Sequence, residues 1–145
     1  MLLRLKSARK TSIEASSDIF KLLQPILLRK QLIDRNREHL WVVGLDHQLR
    51  ILYIEQVSVG CSNSVMAQPM EVFCMAVRKR CANIIIAHNH TIEACPSEAD
   101  KRITEKLVAA GEILGVTLLD HLVITTEDYY SFADEGIMEK EAVRA

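Results

Sequence analysis

Two histidines separated by one residue, followed by a serine and an aspartate, are the residues of this sequence best suited to chemistry. His88 and His90 follow the β-branched run Asn83-Ile84-Ile85-Ile86-Ala87, and Ser97 and Asp100 come next. Side chains two residues apart in an extended chain point to the same side, so both imidazoles can face one ion. Imidazole and carboxylate are common zinc ligands, and three protein ligands leave a fourth position for water. The spacing therefore predicts a zinc site of the catalytic type.

The same residues also fit structural interpretations. Ser97-x-x-Asp100 ahead of an apolar-striped helix is a capping box, in which both side chains satisfy free backbone N–H groups. Two histidines at the end of a strand can be surface residues. One oxygen of Asp100 cannot easily cap a helix and bind a metal at the same time. The residue pattern alone leaves these interpretations open.

The elements that would position these residues follow from hydrophobic periodicity and turn signals. The sequence predicts helices from Ser17 to about Lys30, from Pro69, and from Pro96-Ser97. Strands are expected over residues 39–45, 51–59, 83–87 and 116–125, with a shorter one over 129–132. The first two strands form a hairpin. We predict an α/β fold with one mixed sheet flanked by helices.

Two groups of side chains inside these elements carry further expectations. The apolar positions expected to face the core from the second and third helices are Val72, Phe73, Ala76, Val77, Ile103, Leu107, Ala110 and Leu114. Asp120 and His121 are adjacent in an apolar, strand-like segment, so they should point to opposite faces. We expect them to bond a neighbouring loop or to support the metal ligands, and not to bind the metal themselves.

Length and composition limit the class of protein. The chain has 145 residues, of which 49% are hydrophobic and 26% charged, an ordinary balance for one globular domain. A net charge of -1 does not favour a polyanionic partner, and the basic run Arg78-Lys79-Arg80 is better explained as the solvated end of a helix. The sequence has no apolar run near the roughly 20 residues that span a bilayer. Four cysteines without a C-x-x-C pair suggest a cytoplasmic protein with reduced thiols.

The motif and its surroundings resemble a known family. Ala87-His88-Asn89-His90 after an Ile-rich strand, then Pro96-Ser97-x-x-Asp100, resembles the JAB/MPN (JAMM) metalloprotease motif H-x-H-x7-S-x2-D. The segments that resemble its RadC-like branch are Gln68-Pro69-Met70-Glu71-Val72, residues 109–116, residues 118–124 and residues 130–136. The resemblance implies a JAB/MPN-like (cytidine-deaminase-like) fold over residues 16–138. Residues 1–15 are then expected to be a flexible leader and residues 139–145 a charged tail.

The resemblance also implies roles for individual residues. Three positions match the ligands of a Zn²⁺ cofactor: His88, His90 and Asp100. Ser97 matches the serine that stabilises the oxyanion of a tetrahedral intermediate. Glu38, which opens the first hairpin strand, matches the general base, and Glu55 on the partner strand is the second choice. The implied activity is that of a zinc metallopeptidase or isopeptidase, in which water attacks a metal-polarised carbonyl of a peptide or protein.

The sequence departs from the family pattern between His90 and Ser97. Six residues replace the usual seven, the Pro-Ser-Gly turn is missing, and Cys95, a soft zinc ligand, stands next to the site. This keeps a second hypothesis open, a non-catalytic RadC-like interaction domain associated with DNA repair by family label. Longer relatives carry an N-terminal helix-hairpin-helix segment that 145 residues are too few to include, so nucleic-acid binding would rest on the family alone. The oligomeric state is left open.

Overall fold

The computed structural model of the protein describes residues 2–3, 12–59 and 67–138. The elements in chain order are β1 (Leu2–Leu3), α1 (Ser16–Leu28), α2 (Leu32–Arg35), β2 (His39–Leu45), β3 (Ile51–Val59), α3 (Pro69–Arg78), β4 (Asn83–Asn89), α4 (Glu98–Leu114), β5 (Thr117–Ile124) and β6 (Tyr129–Ser131). The strands form one sheet in the order β1-β3-β2-β4-β5-β6. Strands β4 and β5 are parallel and the other neighbours are antiparallel. The predicted α/β class with a mixed sheet is confirmed.

Helices cover the sheet on both faces, which gives the domain two apolar layers. Helix α1 packs its buried side chains, Ile19, Leu23 and Leu27, against one face. Helices α3 and α4 pack against the other face through Val72, Phe73 and Leu107. Strands β2 and β4 lie in the middle of the sheet and are buried almost throughout. This explains why residues 83–87 read as an unbroken apolar run and not as an alternating one.

The ends of α4 are set by local chemistry. At its N-terminus, Ser97 and Asp100 form the predicted capping box, with Ser97 Oγ accepting from the Asp100 N–H and the Asp100 carboxylate accepting from the Ser97 N–H. At its C-terminus, Gly115 adopts a left-handed conformation with φ of 72°. Only glycine adopts this conformation without strain, so the helix ends there and the chain turns into β5. Helix α4 is thereby the crossover that parallel strands β4 and β5 require.

Several details differ from the sequence prediction. Leu2 and Leu3 pair with Ile54 and Glu55 of β3, and Ile13 is buried, although these residues lie in the segment expected to be a loose leader. Backbone pairing along the outer edge of β3 and apolar burial account for the difference. Residues 4–11 and the predicted tail, 139–145, lie outside the described residues. Helix α1 ends at Leu28, two residues early, and the short α2 was not predicted.

The predicted core positions are largely buried, with two clear exceptions. Val77 and Leu114 are 50% and 49% exposed, and both lie in the last turn of their helices. They line a shallow apolar hollow together with Met70 and Phe73. None of the helices described has the length and apolar character needed to cross a bilayer.

Candidate metal centre

Three side chains predicted to bind metal converge at one end of β4. His88 Nε2 lies 3.0 Å from His90 Nε2 and 3.3 Å from Asp100 Oδ1. His90 Nε2 lies 3.3 Å from Asp100 Oδ2. Among the described residues, these three form the group of donor atoms close enough to share a metal ion. The structure therefore brings together the ligand set that the sequence predicted.

The distances between these donor atoms fit a tetrahedral zinc site. Zinc–nitrogen and zinc–oxygen bonds of about 2.0–2.1 Å place neighbouring ligand atoms of a tetrahedron roughly 3.3–3.4 Å apart. The histidine nitrogens are 3.0 Å apart, and each lies 3.3 Å from a different carboxylate oxygen of Asp100, so each of these separations is close to the edge length of such a tetrahedron. Two imidazole nitrogens and one carboxylate also match the donor types that zinc prefers. The residues present thus fit a metal ion with a fourth position left open.

Asp100 caps α4 and faces the histidines at the same time. Its Oδ2 atom accepts the Ser97 N–H at 2.8 Å, while Oδ1 faces His88. Oδ1 takes no part in the cap and is available as a ligand, whereas Oδ2 both caps the helix and lies 3.3 Å from His90 Nε2. The cap also fixes the rotation of the carboxylate, so the first turn of α4 orients a ligand as well as starting the helix.

A buried chain of hydrogen bonds determines which nitrogen of His88 faces the site. The Thr104 hydroxyl donates to the Asp100 carbonyl at 2.8 Å, so its oxygen accepts from His121 Nδ1, 2.6 Å away. Neutral His121 then accepts through Nε2 from Nδ1–H of His88 at 2.7 Å. His88 is left with a lone pair on Nε2, which points toward His90 and Asp100. This is the tautomer that a metal ligand needs.

Asp120 bonds a neighbouring segment and His121 bonds a predicted ligand, which are the contacts that the sequence predicted for them. His121 supports His88, and its pKa is well below the ordinary value because it is completely buried. The Asp120 carboxylate accepts from Ser131 Oγ at 2.5 Å, from the Ala133 N–H at 2.9 Å and from the His121 N–H at 2.7 Å. It thereby ties β5 to the segment that follows β6. Sequence reasoning missed Thr104, although it follows Asp100 by four residues and so lies on the same side of α4.

The charges of the site favour an ionised aspartate beside a proton-binding histidine in the metal-free protein. Burial would raise the pKa of Asp100, but its close contacts with the imidazoles of His88 and His90 outweigh burial and hold that pKa far below the ordinary value. The hydrogen bond with Asp100 raises the pKa of His90, partly opposed by burial. A cation at this position, whether a proton or a metal ion, is therefore stabilised by the surrounding groups.

Glu38 lies at the rim of the same site. It immediately precedes β2, and its Oε1 atom is 3.9 Å from His90 Nε2, with about a quarter of the side chain exposed. Glu55, the second choice for a base, pairs with Val42 of β2. Val42 follows Glu38 by four residues, which is roughly 13 Å along an extended strand. Of the two candidate glutamates, Glu38 is the one that lines the cleft.

An open cleft of about 500 Å³ leads to the candidate metal centre. The residues that line it are Glu38, His90, Thr91, Ile92, Glu93, Cys95, Ser97, Ala99, Asp100 and Ile103. Ser97 Oγ accepts the Asp100 N–H, which leaves its hydroxyl proton free to be donated into the cleft. Cys95 lines the cleft too, but it does not belong to the group of close donor atoms. The shortened loop therefore forms the cleft wall without adding a ligand.

Comparison with known proteins agrees with this architecture. A family model described as the RadC-like JAB domain matches residues 13–137. The UPF0758 protein of Pelobacter propionicus is 42% identical over 109 residues, covering 74% of this chain and 48% of the relative. The UPF0758 protein of Flavobacterium johnsoniae is 39% identical over 126 residues, covering 86% of this chain and 53% of the relative.

A third relative gives the same picture. The UPF0758 protein of Chlorobaculum parvum is 35% identical over 127 residues, covering 87% of this chain and 55% of that protein. The chain spans about half the length of the relatives that it matches. The match of the family model covers every residue of the candidate centre and all strands from β2 onward. With its mixed sheet flanked by helices in the JAB/MPN-like arrangement, the chain belongs to the RadC-like JAB domain family.

Proposed function

We propose that this domain is a zinc-dependent hydrolase of peptide or isopeptide bonds. The observation that carries the proposal is the convergence of donor atoms from His88, His90 and Asp100, with Glu38 beside them in an open cleft. A bound zinc ion would supply a Lewis acid that polarises a carbonyl and makes a water molecule more acidic. The remaining chemistry is assigned to side chains of this chain.

Glu38 is the general base in this proposal. Its carboxylate lies close enough to the ligands for one water molecule to reach both the base and the fourth position at the site. It takes a proton from the attacking water and delivers it to the leaving amine. Before the amine leaves, the Ser97 hydroxyl donates a hydrogen bond to the oxyanion that the attack creates on the substrate carbonyl.

The lining of the cleft favours a peptide over a nucleic acid. Three carboxylates, from Glu38, Glu93 and Asp100, face the opening together with the apolar side chains of Ile92 and Ile103. The sugar–phosphate backbone of a nucleic acid would be repelled by the carboxylates, whereas an extended peptide can place apolar side chains against the isoleucines. The substrate class that we propose is therefore a peptide or protein segment.

The proposal is tested by incubating the zinc-loaded chain with a broad peptide library and with an isopeptide-linked conjugate. We expect cleavage that a chelator abolishes, that zinc restores and that His90→Ala lacks. If the wild type carries one zinc ion per chain and cleaves nothing, the hydrolase proposal fails. A non-catalytic RadC-like interaction domain would then be the better interpretation, with the shortened loop over residues 91–96 as the point of divergence.

A further inference from the structure

Asn89 lies between the two histidines, and its side chain points to the opposite face of the sheet. It is 1% exposed, and its three hydrogen bonds all join backbone groups of residues 35–39. Oδ1 accepts the His39 N–H at 2.6 Å, while Nδ2 donates to the carbonyls of Arg37 at 2.9 Å and Arg35 at 3.3 Å. One N–H needs an acceptor and two carbonyls need a donor, so these partners fix the orientation of the amide.

These backbone groups lie on both sides of Glu38 in the sequence. Helix α2 ends at Arg35, and the ladder between β2 and β4 begins at the pair Leu40–His88, after Glu38. The segment that carries Glu38 therefore lies between two regular elements. Asn89 ties this segment to the strand that carries both histidines.

We propose that Asn89 is a positioning residue that fixes the Glu38 carboxylate relative to His88 and His90. The inference rests on the proposed function, because it takes Glu38 as the general base. A base must lie within hydrogen-bond reach of the proton it removes, directly or through one water, and small displacements reduce rates strongly. Because side chains alternate along a strand, His88 and His90 can face the metal site while Asn89, between them, holds the Glu38 segment from the opposite face.

The three backbone partners of Asn89 need both the oxygen and the nitrogen of its amide. Variants that change one or both of these atoms therefore test its role. Asn89→Asp keeps the size of the side chain and the acceptor for His39, but it places oxygen against the carbonyls of Arg35 and Arg37. Asn89→Ala removes all three hydrogen bonds without adding a buried charge. Asn83→Asp is the matched control, because Asn83 lies at the other end of β4 and its amide donates to the Asp46 carbonyl at 3.3 Å.

The first measurement does not depend on catalysis. Co²⁺ accepts the same nitrogen and oxygen ligands as zinc, and its unpaired electrons perturb the NMR signals of nearby nuclei. In the cobalt-loaded wild type and in Asn83→Asp, the carboxyl carbon of Glu38 should be strongly perturbed. In Asn89→Asp we expect cobalt to bind with an affinity within a fewfold of wild type but the Glu38 signal to approach that of the diamagnetic protein.

The second measurement separates positioning from general destabilisation. If the hydrolase function holds, Asn89→Asp should lower turnover on the order of 10²-fold, the scale of a lost general base, with a smaller change in KM. In a Glu38→Gln background, the same Asn89 substitution should have almost no further effect, because no base remains to be positioned. A purely structural role would instead give additive losses.

Each outcome decides between the possibilities. A variant that binds cobalt and keeps the Glu38 signal of wild type overturns the inference alone, and so do additive losses in the double variant. Wild-type protein that binds neither cobalt nor zinc overturns the proposed function and this inference with it. If Asn89→Asp does not fold, Asn89→Ala replaces it. If neither folds, Asn89 is required by the fold as a whole, and a role specific to Glu38 is rejected.

Discussion

His88 Nδ1 lies 2.7 Å from Nε2 of His121, and this contact joins the candidate metal centre to the core of the domain. His121 is in turn 2.6 Å from the Thr104 hydroxyl, which bonds the carbonyl of Asp100. A ligand from β4 and a ligand from α4 are thus connected through one buried imidazole. Groups behind metal ligands typically change metal affinity 10- to 100-fold when they are removed.

The first prediction concerns this connection. Thr104→Val keeps the shape of the side chain but removes the hydroxyl that His121 bonds, so zinc affinity should fall by roughly tenfold. Thr104→Ser keeps the hydroxyl and should stay within a fewfold of wild type. Competition titration against a zinc indicator measures both. Equal zinc affinities for the valine and serine variants would show that the hydrogen bonds from Thr104 through His121 do not orient His88.

The second prediction concerns metal content. Zinc-loaded protein should contain about one zinc ion per chain, and His88→Ala should lose it. His47→Ala is the matched control, because His47 lies in the exposed turn between β2 and β3. Elemental analysis after gel filtration gives the stoichiometry. A His88→Ala protein that retains a full equivalent of zinc would contradict the proposed ligand set.

The pH dependence of zinc binding forms the third prediction. In the metal-free protein, the hydrogen bond with Asp100 raises the pKa of His90 above its ordinary value of 6.5. A protonated imidazole cannot bind zinc, so affinity should be complete above that raised pKa and should fall as the pH drops through it. Asp100 keeps its charge over this range because its pKa is lowered. Calorimetric titrations between pH 5.5 and 8.5 should show weakening that already begins above pH 6.5. Affinity that stays constant down to about pH 6 would contradict it.

A fourth prediction concerns stability at Asp120. Asp120→Ala leaves the Ser131 hydroxyl and two backbone N–H groups without their acceptor, and it should reduce the free energy of unfolding by about 2–4 kcal/mol. Asp120→Asn retains an oxygen for the N–H groups and an amide for Ser131, so it should stay within about 1 kcal/mol of wild type at pH 7.

The pH dependence of that comparison has a definite sign. Burial raises the pKa of Asp120, so the folded protein binds this proton more tightly than the unfolded chain does. The stability that protonation of Asp120 contributes is complete below the pKa of this carboxyl in the unfolded chain. It is lost as the pH rises through its pKa in the folded protein. Urea unfolding should therefore show that wild type loses stability relative to Asp120→Asn between pH 4 and pH 7. A change in the opposite direction would mean that the three hydrogen bonds dominate over burial.

The sequence was sufficient for the parts of the site that depend on local geometry. Period-two alternation placed His88 and His90 on one side of β4, and the capping-box spacing placed Asp100 in the first turn of α4. Both patterns operate over a few residues, so they can be read without knowledge of the tertiary structure.

The remaining features depend on contacts between distant segments. His121 reaches His88 because β5 pairs with β4 in parallel, with a register shift between Ile84 and Ile85 that no local pattern encodes. The clamp from Asn89 joins residues about 50 positions apart. The placement of the two Asp100 oxygens relative to the histidines depends on how α4 packs over the end of β4. Such relationships require the strand order and register, which propensity does not determine.

The last prediction separates the base from the ligands. Glu38→Gln keeps the shape of the side chain but removes its basicity, and Glu38 does not belong to the group of donor atoms that could hold the metal. Zinc content should therefore stay at wild-type level, while cleavage should fall on the order of 10²- to 10⁴-fold. Asp100→Asn should lower zinc content and rate together, because it weakens a ligand. Glu55→Gln, on the neighbouring strand and away from the cleft, should change neither zinc content nor rate.

Unchanged cleavage by Glu38→Gln would place the base elsewhere. Loss of zinc in that variant would instead assign Glu38 to the metal, and its 3.9 Å separation from His90 Nε2 would have to shorten when the ion binds.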